Sequence, residues 1–109
     1  MKLDLFSVQS QTISIAVTTT ASVSRALPAL GNSVRLAAIG AGGATYVAVS
    51  IGTGARTATL PSGTASANST VILLSTDSIY SIPADQIQNI SAICDTGTAT
   101  LFVAVGEGT

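Results

Sequence analysis

Residues 36–54 read LAAIGAGGATYVAVSIGTG and residues 90–108 read ISAICDTGTATLFVAVGEG, and the two stretches align without a gap at a shift of 54 residues. Ala38 meets Ala92, Ile39 meets Ile93, Gly43 meets Gly97, Val49 meets Val103, Gly52 meets Gly106 and Gly54 meets Gly108. The aliphatic pairs Leu36/Ile90, Val47/Leu101 and Ile51/Val105 fall in register too. Each copy has the form strand, glycine-bearing turn, strand, Gly-x-Gly. Glycine supplies the positive φ angles of tight turns. Both stretches are therefore expected to be hairpins, one in each half of the fold, related by a pseudo-twofold axis.

Outside the repeat the chain keeps a period of two. In residues 12–23, Ile13, Ile15, Val17, Ala21 and Val23 share one parity while Ser14, Thr18, Thr20 and Ser22 take the other, the pattern of a half-buried strand, broken near its middle. Residues 56–60 (RTATL), 71–74 and 78–82 are further strand candidates, bounded by Gly, Pro, Asn, Asp or Ser. No segment carries apolar residues at helical spacing, and residues 84–89 after Pro83 have room for one turn at most. Parallel strands need crossovers of a dozen or more residues, and the chain has no length to spare for them. About eight short strands predict an all-β domain, a small antiparallel β-sandwich or jelly-roll-like barrel.

Three stretches fall outside this core. Residues 1–11 form an N-terminal arm or edge strand, leaving residues 12–109 as a single β domain. Residues 24–33, with Pro28 and Gly31, read as a connection, and residues 61–70 (PSGTASANST) as a small, polar loop.

Composition narrows the function. Of 109 residues only nine are charged, four Lys or Arg and five Asp or Glu, against a usual share of about 25%. There is no His, one Cys and no Trp. A net charge of −1 and a pI near 4.8 offer no basic face for phosphate, so no nucleic-acid partner is expected. Mean hydropathy is high at +0.60, yet the glycine cluster at residues 40–43 interrupts the most apolar stretch, residues 34–51. A membrane span of about 20 continuous apolar residues is not expected, and neither is a cleaved signal. Cys94 has no disulfide partner in the chain and reads as a small buried hydrophobe.

Catalytic chemistry finds few reagents. A nucleophilic Ser or Cys needs an imidazole or amine base, and the only Lys is Lys2 in the arm. Asp77, Asp85 and Asp95 are the candidates for a carboxylate pair, but all three sit at predicted turns or strand ends, where Asp bonds backbone amides. Residues 40–43 lack the third glycine and following helix of a phosphate loop. No enzymatic role, metal or cofactor is expected. Tyr46 and Phe102 are assigned to packing within the repeated hairpins, which leaves few aromatics for a sugar-binding face. A surface of Ser, Thr and Ala loses little side-chain entropy when covered, and a net charge near zero opposes self-association weakly. A homo-oligomer, dimer or trimer, or a lattice component is the physical expectation.

The C-terminal stretch ATLFVAVGEG (residues 99–108), with RTATL at 56–60 and the loop after it, resembles small virion structural proteins of tailed bacteriophages. These are Ala/Thr/Gly-rich chains of about this size that often end in a similar strand followed by G-E-G. The resemblance covers roughly the last 75 residues in style. It implies a capsid decoration or cement protein, made in the host cytoplasm and located on the capsid surface of the virion, whose partner is the major capsid protein or another virion protein. Head-tail connector and tail components share the look, and a carbohydrate-binding β-sandwich is a third reading. Within the decoration reading, Leu3, Leu5, Phe6 and Val8 of the arm are the candidate contacts, a clamp adding a strand to a neighbour.

Overall fold

A computed structural model describes residues 7–8, 12–27, 31–60, 70–73, 77–82 and 86–107. Among these residues the chain forms nine strands and no helix: β1 (Ser7–Val8), β2 (Ile13–Val17), β3 (Arg25–Ala26), β4 (Ser33–Gly42), β5 (Tyr46–Gly52), β6 (Thr70–Leu73), β7 (Asp77–Ser81), β8 (Asn89–Cys94) and β9 (Thr98–Glu107). All strand pairings are antiparallel. The first sheet, A, runs β2-β9-β4-β7, with β1 adding to β9 beyond the end of β2; the second, B, runs β3-β8-β5-β6. Counting β2–β9 as strands one to eight, the sheets read 1-8-3-6 and 2-7-4-5. This is the double Greek key of a jelly roll, an all-β sandwich as the period of two requires.

The core is one apolar layer between the sheets. From sheet A it takes Ile15 and Val17 of β2, Leu36 and Ala38 of β4, and Leu101, Val103 and Val105 of β9. From sheet B it takes Val47 and Val49 of β5 with Ile90, Ala92 and Cys94 of β8. Register explains the choice: Leu36 lies opposite Val103 and Ala38 opposite Leu101, while Val49 lies opposite Ala92 and Ile51 opposite Ile90. Opposed residues in a pair share a face, so two alternating sequences deliver one continuous layer.

The repeat is structural, but it does not make hairpins. β4 belongs to sheet A and β5 to sheet B; β8 belongs to sheet B and β9 to sheet A. Each glycine turn therefore carries the chain across the sandwich, and each strand pairs with the non-equivalent strand of the other copy, β4 with β9 and β5 with β8. Advancing every strand by four positions converts the order of sheet A into that of sheet B, which is the connectivity of a pseudo-twofold. The register differs between the halves by two residues, since Ile90 faces Ile51 where strict equivalence demands Val49. An even slip leaves the same side chains inward. Equivalent residues accordingly share roles: Leu36 and Ile90 are fully buried, as are Val49 and Val103, and Gly43 and Gly97 both have positive φ, 94° and 65°.

Two other expectations are corrected. The strand of residues 12–23 ends at Val17. Beyond it the chain crosses to sheet B, where the Cys94 amide donates to the Thr18 carbonyl and the Ser22 amide to Ala92, and Val23 is 88% exposed instead of inward. Residues 56–60 form no strand, because their amides find side-chain acceptors in place of a neighbouring strand: Arg56 N–H donates to Ser24 Oγ and Ala58 N–H to Ser91 Oγ. Residues 61–69 and 83–85 lie outside the described residues, and residues 86–88 are not helical.

The two crossing turns touch. Gly43 bridges to Thr98, and a Cβ on Gly97 would overlap the backbone carbonyl of Gly42. Gly54 also has positive φ, 80°, but open space around it. Gly54→Ala is expected to cost only the left-handed penalty of about 1–2 kcal/mol, and Gly97→Ala distinctly more, because backbone must shift as well. Equal losses in urea unfolding would show that the turn-to-turn contact contributes nothing.

Candidate functional site

The outward faces of the two sheets differ, and that difference defines the candidate site. On sheet B, Ala48, Ser50 and Ser91 point away from the core cluster, yet none has any exposure. Ser50 and Ser91 bond the chain's own residues 56–58, part of a strap whose Ala58 is 2% exposed. Ser91 is the main anchor: its hydroxyl donates to the Ser22 carbonyl at 2.7 Å and accepts from the Ala58 amide at 3.0 Å. Arg56 Nε donates to Ser50 Oγ at 3.1 Å, and its guanidinium occupies the space a Cβ on Gly52 would need. Sheet B is thus covered at Ser50 and Ser91 by a hydrogen-bonded strap, while Ile93, opposite Ala48, stays partly exposed.

Among the described residues no such strap lies on sheet A. The outward parity of β4 and β9 presents Arg35, Ala37 and Ile39 beside Thr100, Phe102 and Ala104, with Ala37 opposite Phe102 and Arg35 opposite Ala104. Ile79 of β7 lies opposite Arg35, and Ser14 of β2 opposite Phe102. Ile39 is 50% exposed, Ile79 48% and Phe102 36%. A shallow depression of about 250 Å³ runs among Thr12, Arg35, Ala37, Phe102 and Ala104. Ile39 and Phe102 are diagonal neighbours across β4 and β9, and Ile79 lies beyond Arg35 on the same face; Val23, Leu60 and Ile87 are exposed elsewhere, so it is the sharing of one sheet face that makes these three a candidate interaction surface. Phe102, expected to pack inside its hairpin, is instead an outward residue of this face. The alternation of Leu101, Val103 and Val105 around it carries that signal.

Of the candidate carboxylates, Asp77 and Asp95 fall on different elements. Asp85 lies outside the described residues, and Asp77 opens β7 at the edge of sheet A. Asp95 sits in the β8–β9 turn, where one carboxylate oxygen accepts from the amides of Thr45 at 2.8 Å and Tyr46 at 3.2 Å. It ties one crossing turn to the other, a tie its expected role of bonding nearby backbone did not specify. Desolvation pushes its carboxyl up, but the two amide donors outweigh that and hold the pKa below the ordinary 3.8. Cys94 is buried; burial and then the Asp95 charge raise its pKa, and its thiol faces the Gly97 carbonyl at 3.4 Å. No group of three or more potential metal ligands occurs among the described residues, and no described helix is long and apolar enough to cross a membrane.

Of the arm, Leu3, Leu5 and Phe6 lie outside the described residues. Val8 belongs to β1, where Ser7 and Val8 pair with Glu107 and Gly106 of the same chain. The arm's inner end is thus an edge strand of sheet A.

The chain matches no family model, no curated protein and no solved structure.

Two substitutions probe the strap and the turn. Ser91→Ala strands the buried Ala58 amide and is expected to destabilise by about 1–3 kcal/mol, with faster proteolysis within residues 53–60. Wild-type stability and cleavage rate would mean that Ser91 does not hold the strap. Asp95→Ala should destabilise at neutral pH. A depressed folded pKa contributes stability that is complete above the unfolded value of about 3.9 and is lost as pH falls through the lower folded value. The gap between wild type and variant in denaturant midpoint should therefore narrow in that acid window; a pH-independent gap contradicts the carboxylate's role.

Proposed function

We propose that the protein is a non-enzymatic structural component of a virus particle, a decoration or cement protein that binds the outer surface of a tailed bacteriophage's major capsid protein lattice and stabilises it. The observation that supports this most is the contrast between a sheet sealed by the chain's own strap and a sheet left open with Ile39, Ile79 and Phe102 outward. A chain that covers one of its two outer faces with hydrogen-bonded backbone and leaves the other apolar has a surface suited to being covered by protein. Jelly rolls recur among capsid proteins and lectins, so the fold is compatible with the reading but does not select it.

The mechanism is additive. Small β domains that associate with each other and touch several capsid subunits gain avidity from simultaneous weak contacts, and binding to the assembled lattice alone stabilises it by mass action. The arm, with Leu3, Leu5, Phe6 and Val8, is the segment assigned to the shell. A connector or tail component uses the same kind of surface and differs in copy number. The depression beside Phe102 and Arg35 favours a third reading, a carbohydrate-binding module, since an aromatic face with a polar neighbour is a usual sugar platform.

Purified virions are expected to carry hundreds of copies of the protein, counted by quantitative mass spectrometry. About a dozen copies assigns it to a connector or tail, and none, with reproducible glycan binding, replaces the structural reading by the lectin. Deleting residues 1–11 should leave a folded domain that no longer joins particles; normal decoration by the truncated chain excludes the arm as the clamp.

A further inference from the structure

We propose that the two halves of the chain, residues 1–60 and 61–109, are binding partners that need no covalent link, and that two copies of this protein can exchange them, the first half of one copy completing the second half of another. The proposal goes beyond the virion reading and does not depend on it.

Strand pairing carries it. Among the described residues every ladder joins a strand of residues 7–52 to a strand of residues 70–107: β1, β2 and β4 to β9, β4 to β7, β3 and β5 to β8, and β5 to β6. None joins two strands of one half. In sheet A the order β2-β9-β4-β7 alternates first half, second half, first half, second half, and in sheet B the order β3-β8-β5-β6 does the same. Two strands of one half in one sheet are therefore two spacings apart, about 10 Å, with a strand of the other half between them. The backbone bonds outside the ladders obey the same division. Ser22 N–H donates to the Ala92 carbonyl, Leu27 to Gln88, Cys94 to Thr18, Ile82 to Asn32 and Asp95 to Tyr46, and the Asp95 carboxylate accepts from Thr45 and Tyr46.

Taken alone, neither half holds a strand ladder among its described residues. Its strands would keep bare N–H and C=O groups on both edges, which are costly to bury and are a template for another strand. The core divides as well: Leu36, Val47 and Val49 belong to the first half, and Ile90, Leu101 and Val103 to the second. The strap follows β5 and stays with the first half, while its Ala58 amide is held by Ser91 of the second. The source of the complementary half does not alter these contacts. A half from a second copy makes the same ladders, so exchange differs from closure within one chain chiefly in concentration, and domain swapping is for this reason a low-cost route to dimers. A flexible tether supplies an effective concentration on the order of mM. Closure within the chain therefore wins in the dilute wild type, and exchange emerges when one half is disabled.

Complementation between full-length variants tests this. Leu36→Asp disables the first half and Leu101→Asp the second, since both side chains are fully buried and an unpaired charge there prevents packing. Each variant alone, at micromolar concentration, is expected to lose the far-UV circular dichroism of the wild type. Unfolded together and refolded in equal amounts, the two should recover about half of the wild-type signal in a species of twice the 10.8 kDa chain mass. Leu36→Asp mixed with Val47→Asp, another fully buried first-half position, should recover none, because no intact first half is present. A second measurement uses the wild-type chain with a protease site inserted between Leu60 and Pro61 and cut after folding. Its two pieces should travel together through size exclusion, and after urea they should refold at a rate that rises with concentration. Pieces that part under native conditions overturn the proposal. So does a Leu36→Asp and Leu101→Asp mixture that stays unfolded, and so does a first-half mixture that recovers equally well.

Discussion

Everything in this structure depends on one apolar layer that both sheets must share. A chain with nine charges in 109 residues has few groups with which to define an outside, so its inside is specified by parity. Leu36, Leu101 and Val103 enter the layer from one side, and Val47, Val49 and Ile90 from the other, all fully buried. Because side chains alternate along a strand, fixing these residues inward fixes their neighbours outward. The two outer faces follow, and with them the question of what covers each.

Among the described residues the chain answers that question for part of sheet B and not for sheet A. Over sheet B the outward residues include Ser50 and Ser91, small enough to let the strap approach and polar enough to bind it. Over sheet A the outward residues include Ile39, Ile79 and Phe102, whose exposure is unfavourable by roughly 25 cal/mol per Å² that remains in water. Covering this face with protein recovers that free energy, offset by the cost of desolvating the charged positions that share its outward parity, Arg35 and Asp77. The scarcity of charge thereby acquires a structural meaning: most of the described outward positions here are small or apolar.

What the sequence made legible was the period, and what it concealed was the partner. Alternation in residues 13–17 and 98–105, and the match of residues 36–54 with 90–108, foretell strands, core residues and the equivalence of Gly43 with Gly97. A glycine turn reports a local φ but not whether the next strand stays in the sheet or crosses the sandwich, so the repeated units read as hairpins. RTATL satisfies a two-residue period as well as any strand does, and only the hydroxyls of Ser24 and Ser91, 32 and 33 residues away, make it a strap. Asp95 was visible as a turn residue, whereas its bonds to Thr45 and Tyr46 across the fold carry no local signature. The outward position of Phe102 was available from parity alone, through its place between Leu101 and Val103.

Hydroxyl-radical footprinting of the protein, dilute and then concentrated, reads the central claim at the residue that carries it. Phe102 on the open face is predicted to be oxidised readily in the dilute protein and to lose most of that reactivity as the protein associates, while Tyr46, in the sealed sheet at the crossing turns, changes little. Unchanged oxidation of Phe102 in a demonstrably associated sample would contradict the assignment of the open face of sheet A as the surface that protein covers.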